Sequence, residues 1–457
     1  MSMRLPQRDT GPEQVMRVAE RIGLWFAHGT RNVGDVALNA GLVGLLESVG
    51  RELDVAVIPR GAQSTHAAAR ASLHESTTLV AMERAAMSAD ALIEYCGHPE
   101  RLFRHYGLES VDTVLLHAGE HLYSPANLAD MHPLALWRMV PALAAIASGR
   151  RAIQLPSTFG PFLNRAYRAV VGDQLRSLDA VAARDALSAR VVADEFALTV
   201  PALLDPAFFV QPPTTPVRRE QLTRAAISMR LEGFGLRAGS ASSTERMQSA
   251  IDDQFVSSSS FAAGVAAAVE LASSESLQVI TVIAQTSTDI ELCRAITQAV
   301  RERARESIAV DFVDAHEFSP RQLQSLIAEH DLLVTSRFHG SVLALAAGVP
   351  AVGIPLASHG HKIPGLYSLL EAPGWQRADG FDDPATVRAL LADAQSVPQQ
   401  DAVRERVRAL RTTTSGWMRA ALEADRTSVA RRARRARRAL ARLAALARER
   451  RDLERRR

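Results

Sequence analysis

The sequence predicts an α/β protein of two doubly wound, Rossmann-like domains that face each other across a cleft. Short apolar runs alternate with longer amphipathic segments, as in βαβ units around a mostly parallel sheet. A length of 457 residues favours two domains. The segment QPPTTPVRRE at 211–220 interrupts this alternation, and its three prolines are typical of an inter-domain linker.

The strands of the two halves are predicted from their apolar runs. Those of the first half are 21–28, 53–59, 112–118, 151–156, 179–184 and 199–205. Those of the second half are 224–230, 277–284, 307–314, 331–336 and 350–355. The amphipathic segments between them predict helices at 36–50, 133–149, 259–275, 289–304 and 320–330.

These elements divide the chain into five parts. The first domain is predicted at 1–210, on the acceptor side, and the second at 221–395, on the donor side, with the linker at 211–220 between them. A helical extension is predicted at 396–427, and an arginine-rich helical tail at 428–457. Because parallel sheets of this kind bind ligands beyond the carboxyl ends of their strands, the strand ends are the places to search for a site.

Composition excludes several classes of protein. Hydrophobic residues make up 47% and charged residues 23%, as in globular proteins. The two cysteines, Cys96 and Cys293, are far apart, which indicates neither a disulfide framework nor a zinc site and favours a reducing compartment. We see no apolar secretory signal and no run of about 20 apolar residues. We therefore expect a cytoplasmic protein, with a possible peripheral position at the inner face of the membrane.

The C-terminal tail carries most of the positive charge. Residues 431–457 contain 13 Arg and 3 acidic residues, so the rest of the chain has a net charge of −7 although the whole has +3. Ala, Arg and Leu favour a helix, with Leu440, Leu443, Ala444 and Ala447 as a short apolar stripe. Three interpretations stay open: contact with an anionic membrane surface, pairing with itself or a partner helix, and a solvated, partly disordered tail. Without interleaved aromatic residues, no specific nucleic-acid binding is predicted.

Two motifs follow strands in the first half. HGTRNVGDVALNAGL at 28–42 opens a helix, with Asp35 as the predicted N-cap, and it lacks a dinucleotide fingerprint. It is either a ligand-binding turn or a capped βα turn. HAGEHLYS at 117–124 brings His117 and Glu120 to a strand end, where they line the cleft or form a polar loop.

Three further motifs lie later in the same half. QLPSTFGPF at 154–162 places Ser157 in a constrained loop after a strand. In ARDALSARVV, Arg184 ends a strand and either faces an anion or forms a surface ion pair, and Asp185 can cap the next helix. LLDPAFF places Asp205 at the end of the last strand of this half.

The stretch SRFHGSVLALAAGVPAVGIP at 336–355 carries the most specific pattern. DLLVT predicts a buried strand and HGSVLALAAG a helix that ends at Gly348, so Arg337 and His339 lie where helix N–H groups point into the cleft. Such a helix N-terminus attracts anions, and a guanidinium beside it can hold a phosphate or carboxylate. Histidine is the side chain most easily poised for proton transfer near neutral pH.

A second basic residue follows at the next strand end. Lys362 lies 23 residues after His339, and strand and helix geometry bring it back to the same rim. His359 and His361 form an H-x-H pair, but no carboxylate or cysteine partner lies nearby, so no metal site is predicted.

Together these motifs resemble the polysaccharide pyruvyl transferase family over about residues 20–375. The matching elements are N-x-GD-x-A-L (Asn32 to Leu38), R-D-x-x-S (Arg184 to Ser188), D-P-A-F (Asp205 to Phe208), R-x-H-[AG] (Arg337 to Gly340), G-x-P (Gly348 to Pro350) and the downstream Lys362. The resemblance implies a fold like the B-type glycosyltransferases. It also implies transfer of the enolpyruvyl carbons of phosphoenolpyruvate to a sugar, usually as a cyclic ketal, with no cofactor. Where the family often has a Gly-rich segment, this chain has His117-Ala118-Gly119-Glu120.

The resemblance and the motifs together give the predicted site. The catalytic residues are His339, as general acid/base, with Arg184 and Lys362. The substrate-binding residues are Arg337, Asn32, Asp35, His117, Glu120, Ser157, Asp205 and Gly340. The predicted acceptor is a sugar or lipid-linked glycan of the cell envelope or an exported polysaccharide, and a homo-oligomer is possible.

Two other functions stay open. A nucleotide-sugar glycosyltransferase predicts an acidic residue near Glu371 or Asp379 that grips a ribose. A catalytically silent, glycan-binding member of the family is the second alternative.

Overall fold

A computed structural model describes residues 20–28, 32–59, 63–83, 87–131, 133–211, 221–231, 259–356, 361–424 and 429–456. The predicted linker at 211–220 lies outside these residues except for its first residue, as does His359 of the H-x-H pair.

The first domain is built on a seven-stranded sheet in which every pairing is parallel. Its strands are β1 (Ile22–Trp25), β2 (Val55–Pro59), β3 (Thr78–Met82), β4 (Thr113–Leu116), β5 (Gly119–Ser124), β6 (Arg151–Phe162) and β7 (Ala180–Ala183). The order is β3-β2-β1-β4-β6; β5 continues β4 along one edge of β6, and β7 pairs with the other edge. β1 and β4 are buried throughout, as expected for strands covered on both faces.

Within the described residues, seven α-helices connect these strands and an eighth follows β7. They are α1 (Val33–Glu47), α2 (Gln63–Ser72), α3 (Ala89–Gly97), α4 (Pro99–His105), α5 (Pro133–Trp137), α6 (Val140–Ala147), α7 (Arg165–Leu175) and α8 (Ala186–Phe196).

The second domain repeats the architecture with a smaller sheet. Its strands are β8 (Arg224–Ser228), β9 (Val279–Ala284), β10 (Ala309–Asp314), β11 (Leu332–Thr335) and β12 (Ala351–Gly353), in the order β10-β9-β8-β11-β12 and all parallel. Its helices are α9 (Ser259–Ala272), α10 (Ile290–Arg301), α11 (Pro320–Ala328), α12 (Phe338–Ala346), α13 (Lys362–Leu369) and α14 (Pro384–Gln395). The predicted fold class is therefore confirmed.

In both sheets the order of the strands reverses beside the first strand: the next two strands are added on one side of it and the later strands on the other. In the first sheet this switch point lies between β1 and β4, and in the second between β8 and β11. Ligands of doubly wound sheets bind outside the carboxyl ends of the strands at such points. The residues that follow β1, β4, β8 and β11 are consequently the first candidates for a site.

The extension and the tail are two long helices. α15 (Val397–Glu423) contacts both domains, because Arg411 donates to the carbonyl oxygens of Phe208 (2.6 Å) and Ala346 (3.2 Å). α16 (Val429–Arg456) packs against α3, α6 and α7 of the first domain. Its predicted apolar stripe is buried in that core, so the tail is a packed helix and the disordered alternative is wrong. Within the described residues, no helix is long and apolar enough to cross a membrane.

The first domain differs from the sequence prediction at four places. No strand forms at 199–205: only a single bridge joins Ala202 to Ala183, because Asp205 caps the 3₁₀ turn Pro206–Phe209 by accepting from the amide of Ala207. β3 and β5 were not predicted, and β5 replaces the polar loop expected at 117–124. β6 runs on through the segment expected to be a loop, because that segment is buried between β5 and β7. Tertiary context here overrides the weak strand preference of Gly and Pro.

Candidate active site

Arg337, the N-cap of α12, and Phe338 and His339, its first two residues, lie where the two domains meet. Their side chains point in three directions. Arg337 turns into the second domain, where its guanidinium pairs with Asp289 and donates to Oγ1 of Thr286 (2.7 Å). Both partners precede α10, so the positive charge of Arg337 is held by its own domain at the switch point of the second sheet.

Phe338 contacts the first domain through Arg184. The guanidinium of Arg184 lies 4.3 Å from the centre of the Phe338 ring, a cation–π distance. Arg184 also donates to Oγ1 of Thr158 (2.8 Å) and to Oδ2 of Asp205 (2.8 Å). The side chains of Arg184 and Asp205 are 2% and 0% exposed. The surface ion pair that the sequence left open for Arg184 is therefore wrong. The pair is buried and joins β7 to the Pro206 turn.

His339 lies beside this ion pair and faces the first domain. Its Nε2 has no hydrogen-bond partner among the described residues and lies 3.9 Å from Oδ2 of Asp205. Its side chain is 13% exposed. Burial lowers the pKa of His339 to about 4, opposed by the carboxylate of Asp205 and assisted by the guanidinium of Arg184. The imidazole is therefore neutral at pH 7 in this structure.

The N-terminus of α1 meets His339 from the opposite side. A Cβ atom placed on Gly34 would lie 2.6 Å from Nδ1 of His339, so only glycine permits this approach. The N-cap of α1 is Asn32, whose side chain accepts from the amide of Gly34 (3.1 Å), and the prediction of Asp35 as N-cap is wrong. Asp35 lies in the first turn instead, where a carboxylate is favoured by the helix dipole. Two helix N-termini, those of α1 and α12, thus converge on one imidazole.

His117 lies at the switch point of the first sheet and makes both of its ring hydrogen bonds within the protein. Its Nδ1 accepts from the amide of Ala118 (2.8 Å), so its Nε2 carries the proton and donates to Oδ1 of Asn39 (2.6 Å). Asn39 also holds the backbone of His28, accepting from its amide (3.0 Å) and donating to its carbonyl oxygen (2.7 Å). Burial lowers the pKa of His117 well below its ordinary value. Through Asn39, His117 thus holds together the segments that follow β1 and β4.

His28 lies beside His117 and was not predicted as a site residue, although it begins the motif HGTRNVGDVALNAGL. Its ring centre lies 4.5 Å from that of His117, and its Nε2 is 3.3 Å from the carbonyl oxygen of Ala118. Burial lowers its pKa, and Asp35 opposes that shift. Two residues earlier, Phe26 has φ of 62°, a left-handed conformation that non-glycine residues rarely adopt. The position of His28 directly after β1 was the available sequence signal.

Two predicted substrate-binding residues are occupied within the protein. Ser157 donates to the carbonyl oxygen of Leu155 (2.7 Å) and accepts from the side chain of Gln154 (2.9 Å). Gly340 lies against Gln285, since a Cβ placed on it would be 2.7 Å from Nε2 of Gln285. The side chain of Glu120, on β5, lies outside the described residues.

Lys362 is the first residue of α13, whose N-terminus packs against that of α8. Gly365 of α13 lies against the carboxylate of Asp185, which caps α8 by accepting from the amide of Ser188 (2.6 Å). The Nε2 of His361 is 3.1 Å from Oγ of Ser188. Lys362 therefore begins a helix that contacts the same wall of the first domain as Arg184, the residue before Asp185.

Two remaining expectations concern metals and a ribose. Among the described residues, no group of three or more His, Cys, Asp and Glu side chains could hold a metal ion. Glu371 and Asp379, the acidic residues that a nucleotide-sugar enzyme would use, have side chains 70% and 88% exposed. They pair with Arg406 and Arg377.

Comparison with known proteins gives one family. The model of the family described as "Polysaccharide pyruvyl transferase" matches residues 32–358. A search of the curated proteins found no match.

Solved structures resemble the chain at low sequence identity. A putative UDP-N-acetylglucosamine 2-epimerase from Listeria monocytogenes has a TM-score of 0.49 at 13% identity, over 85% of this chain and 91% of that one. UDP-GlcNAc 2-epimerase from Neisseria meningitidis has a TM-score of 0.46 at 9% identity, over 86% and 99%. The glycotransferase of kitacinnamycin has a TM-score of 0.45 at 16% identity, over 88% and 97%.

Proposed function

The chain belongs to the polysaccharide pyruvyl transferase family, and from that premise we propose that it transfers the pyruvyl carbons of phosphoenolpyruvate to a sugar of a cell-envelope or exported glycan. The product is a pyruvate ketal. The observation that carries the proposal is the position of His339: a mostly buried imidazole with an unpartnered Nε2, between the N-termini of α1 and α12.

The proposed reaction needs one proton donor and two proton acceptors. A proton adds to C3 of phosphoenolpyruvate, which becomes a methyl group, and positive charge develops at C2. A sugar hydroxyl attacks C2 and loses its proton. The C2–O bond to phosphate then breaks and inorganic phosphate leaves. A second hydroxyl attacks C2 and loses its proton, which closes the ketal ring, so that one donor and two hydroxyls give one ketal and one hydrogen phosphate.

We assign the proton transfer to C3 to His339. Without ligand the imidazole is neutral, since burial lowers its pKa to about 4. An anion bound beside it favours the charged form and raises the pKa. Phosphoenolpyruvate carries a phosphate and a carboxylate, so its binding would favour protonation of His339. The reaction then transfers this proton to C3. Asp205, 3.9 Å from Nε2, stabilises the same imidazolium.

The attraction for the donor comes mainly from helix ends in this proposal. Arg184 and Arg337 are each paired with a buried carboxylate, Asp205 and Asp289. The N-termini of α1 and α12 carry partial positive charge and backbone N–H groups, which suit phosphate and carboxylate oxygens. Lys362 is expected to add a full charge at the same rim, as the family resemblance implies.

The identity of the donor is tested by thermal unfolding of the purified protein with phosphoenolpyruvate or with a panel of nucleotide sugars. Phosphoenolpyruvate is expected to raise Tm, since a ligand at a hundred times its Kd stabilises the folded state by about 2.7 kcal/mol. A rise in Tm only with a nucleotide sugar would replace the donor and favour a glycosyltransferase. No rise with any donor would favour a silent, glycan-binding protein.

The role of Arg337 is tested by a matched pair of variants in the same assay. If its guanidinium reaches the donor phosphate, Arg337→Gln loses the rise in Tm. Asp289→Asn releases the guanidinium from its carboxylate and should keep or increase the rise. An equal response of Arg337→Gln and the wild type would remove Arg337 from the donor site and leave it as the partner of Asp289.

A further inference from the structure

The outward face of α16 carries a row of arginines. Arg431, Arg434, Arg438 and Arg442 recur at intervals of three or four residues, so they lie on one side of the helix. All four are exposed. We call these four residues the arginine row.

The opposite face fixes the direction in which the row points. Leu440 and Leu443 are fully buried in the core of the first domain, between α3, α6 and α7. Arg432 pairs with Asp179 (2.5 Å) and Arg451 with Asp90 (2.5 Å). The helix is thus attached to the domain at both ends, and the row projects from a fixed surface.

The charge of the row is largely uncompensated. Residues 429–448 contain eight arginines and no acidic residue. Across the part of the chain that the structure describes, Arg431, Arg434 and Arg438 form no ion pair, whereas Arg442 pairs with Asp173 (2.6 Å). Outside residues 431–457 the chain is acidic overall, with a net charge of −7. Positive potential is therefore concentrated on one side of the molecule.

A recess of about 630 Å³ lies on one flank of α16, where Arg437, the neighbour of Arg438 in the sequence, is one of its lining residues. Arg437 and Arg150 line it together with Glu100 and Ser148, whose buried hydroxyl oxygen has no partner among the described residues. The recess adds two further guanidinium groups, those of Arg437 and Arg150, beside the row.

We propose that the arginine row docks the protein on the surface of an anionic phospholipid membrane, with the headgroup phosphates as the recognised groups. Clusters of four or more basic residues on one helix face suit such a surface, and each contributes about 1 kcal/mol near it. A partner helix would need an apolar face, but the apolar face of α16 is already covered by its own chain. α16 has no aromatic side chain on which bases could stack. This inference does not depend on the reaction proposed above.

The test is flotation of the full chain with vesicles of phosphatidylcholine, with or without phosphatidylglycerol. We expect binding only to the phosphatidylglycerol vesicles, and weaker binding at high salt. The triple variant Arg431→Gln, Arg434→Gln, Arg438→Gln should partition on the order of a hundred-fold more weakly. A control with three exposed arginines changed elsewhere, Arg321→Gln, Arg408→Gln and Arg419→Gln, should bind like the wild type.

Three outcomes would overturn the proposal. They are equal binding to both vesicle types, equal loss in the triple variant and its control, and stronger binding to duplex DNA than to the anionic vesicles. Circular dichroism of each variant checks that it is folded.

Discussion

Replacing His339 with glutamine is expected to lower kcat by about 10²–10⁴-fold, the usual contribution of a positioned acid or base. Glutamine keeps a polar side chain of similar length between α1 and α12, but it cannot supply a proton to C3 of phosphoenolpyruvate. Donor binding should persist, because the helix N-termini and Lys362 remain. The measurement is release of inorganic phosphate from phosphoenolpyruvate in the presence of glycan acceptors, with donor affinity followed separately.

A matched control is available in His316, a histidine whose imidazole pairs with Asp314 (2.7 Å) in the second domain. His316→Gln should leave the rate unchanged. If His339→Gln retained the wild-type rate, another group would be the proton donor. His28, whose ring centre lies 4.5 Å from that of His117 and whose charge would act on His339, would be the first to examine.

The second large effect is expected on stability, at the ion pair of Arg184 and Asp205. Both side chains are almost fully buried, so removing either leaves an uncompensated charge inside the protein. Arg184→Met or Asp205→Leu alone should lower the free energy of unfolding by about 3–5 kcal/mol. The double variant replaces the pair with apolar side chains and should recover much of that loss. Urea unfolding of the four proteins gives the coupling energy.

Additive losses in the two single variants would contradict this description of the pair. Strong coupling without any loss of activity in the double variant would show that the pair maintains the fold and is not needed at the reacting atoms. Because Asp205 also lies 3.9 Å from His339, we expect activity to fall in the double variant even where stability returns.

The sequence predicted the strand-and-helix repeat because its strong signals are local. Buried strands such as DLLVT (331–335) are continuous apolar runs, and their ends carry Arg184 and His339. Local signals failed in the first domain at β5 and β6, whose Gly, Pro, Ser and Thr residues form strands only because the neighbouring strands pair with them. The opposite error at 199–205 has a local cause, because Asp205 caps a 3₁₀ turn where the end of a strand was predicted.

The hydrogen-bond partners of the predicted site residues could not be predicted from the sequence, because they are distant along the chain. Asp289 meets Arg337 from 48 positions away, and Asn39 meets His117 from 78 positions away. Neither carboxylate nor amide stands out in the sequence, since Asp289 only begins a helix and Asn39 is one polar residue in an apolar segment. Both residues were predicted to bind substrate; in the structure the Arg337 guanidinium pairs with Asp289, and the His117 imidazole donates to Asn39.

The most direct test of the central claim is calorimetric titration with phosphoenolpyruvate in two buffers of different ionisation enthalpy, near neutral pH. Ligand-free His339 is neutral there because its pKa is about 4, and the bound anion should raise that pKa. Binding should therefore take up protons, and His339→Gln should bind the donor with a smaller uptake. Donor binding with the same proton uptake in both proteins would contradict the assignment of His339, and no binding of phosphoenolpyruvate would contradict the proposed reaction.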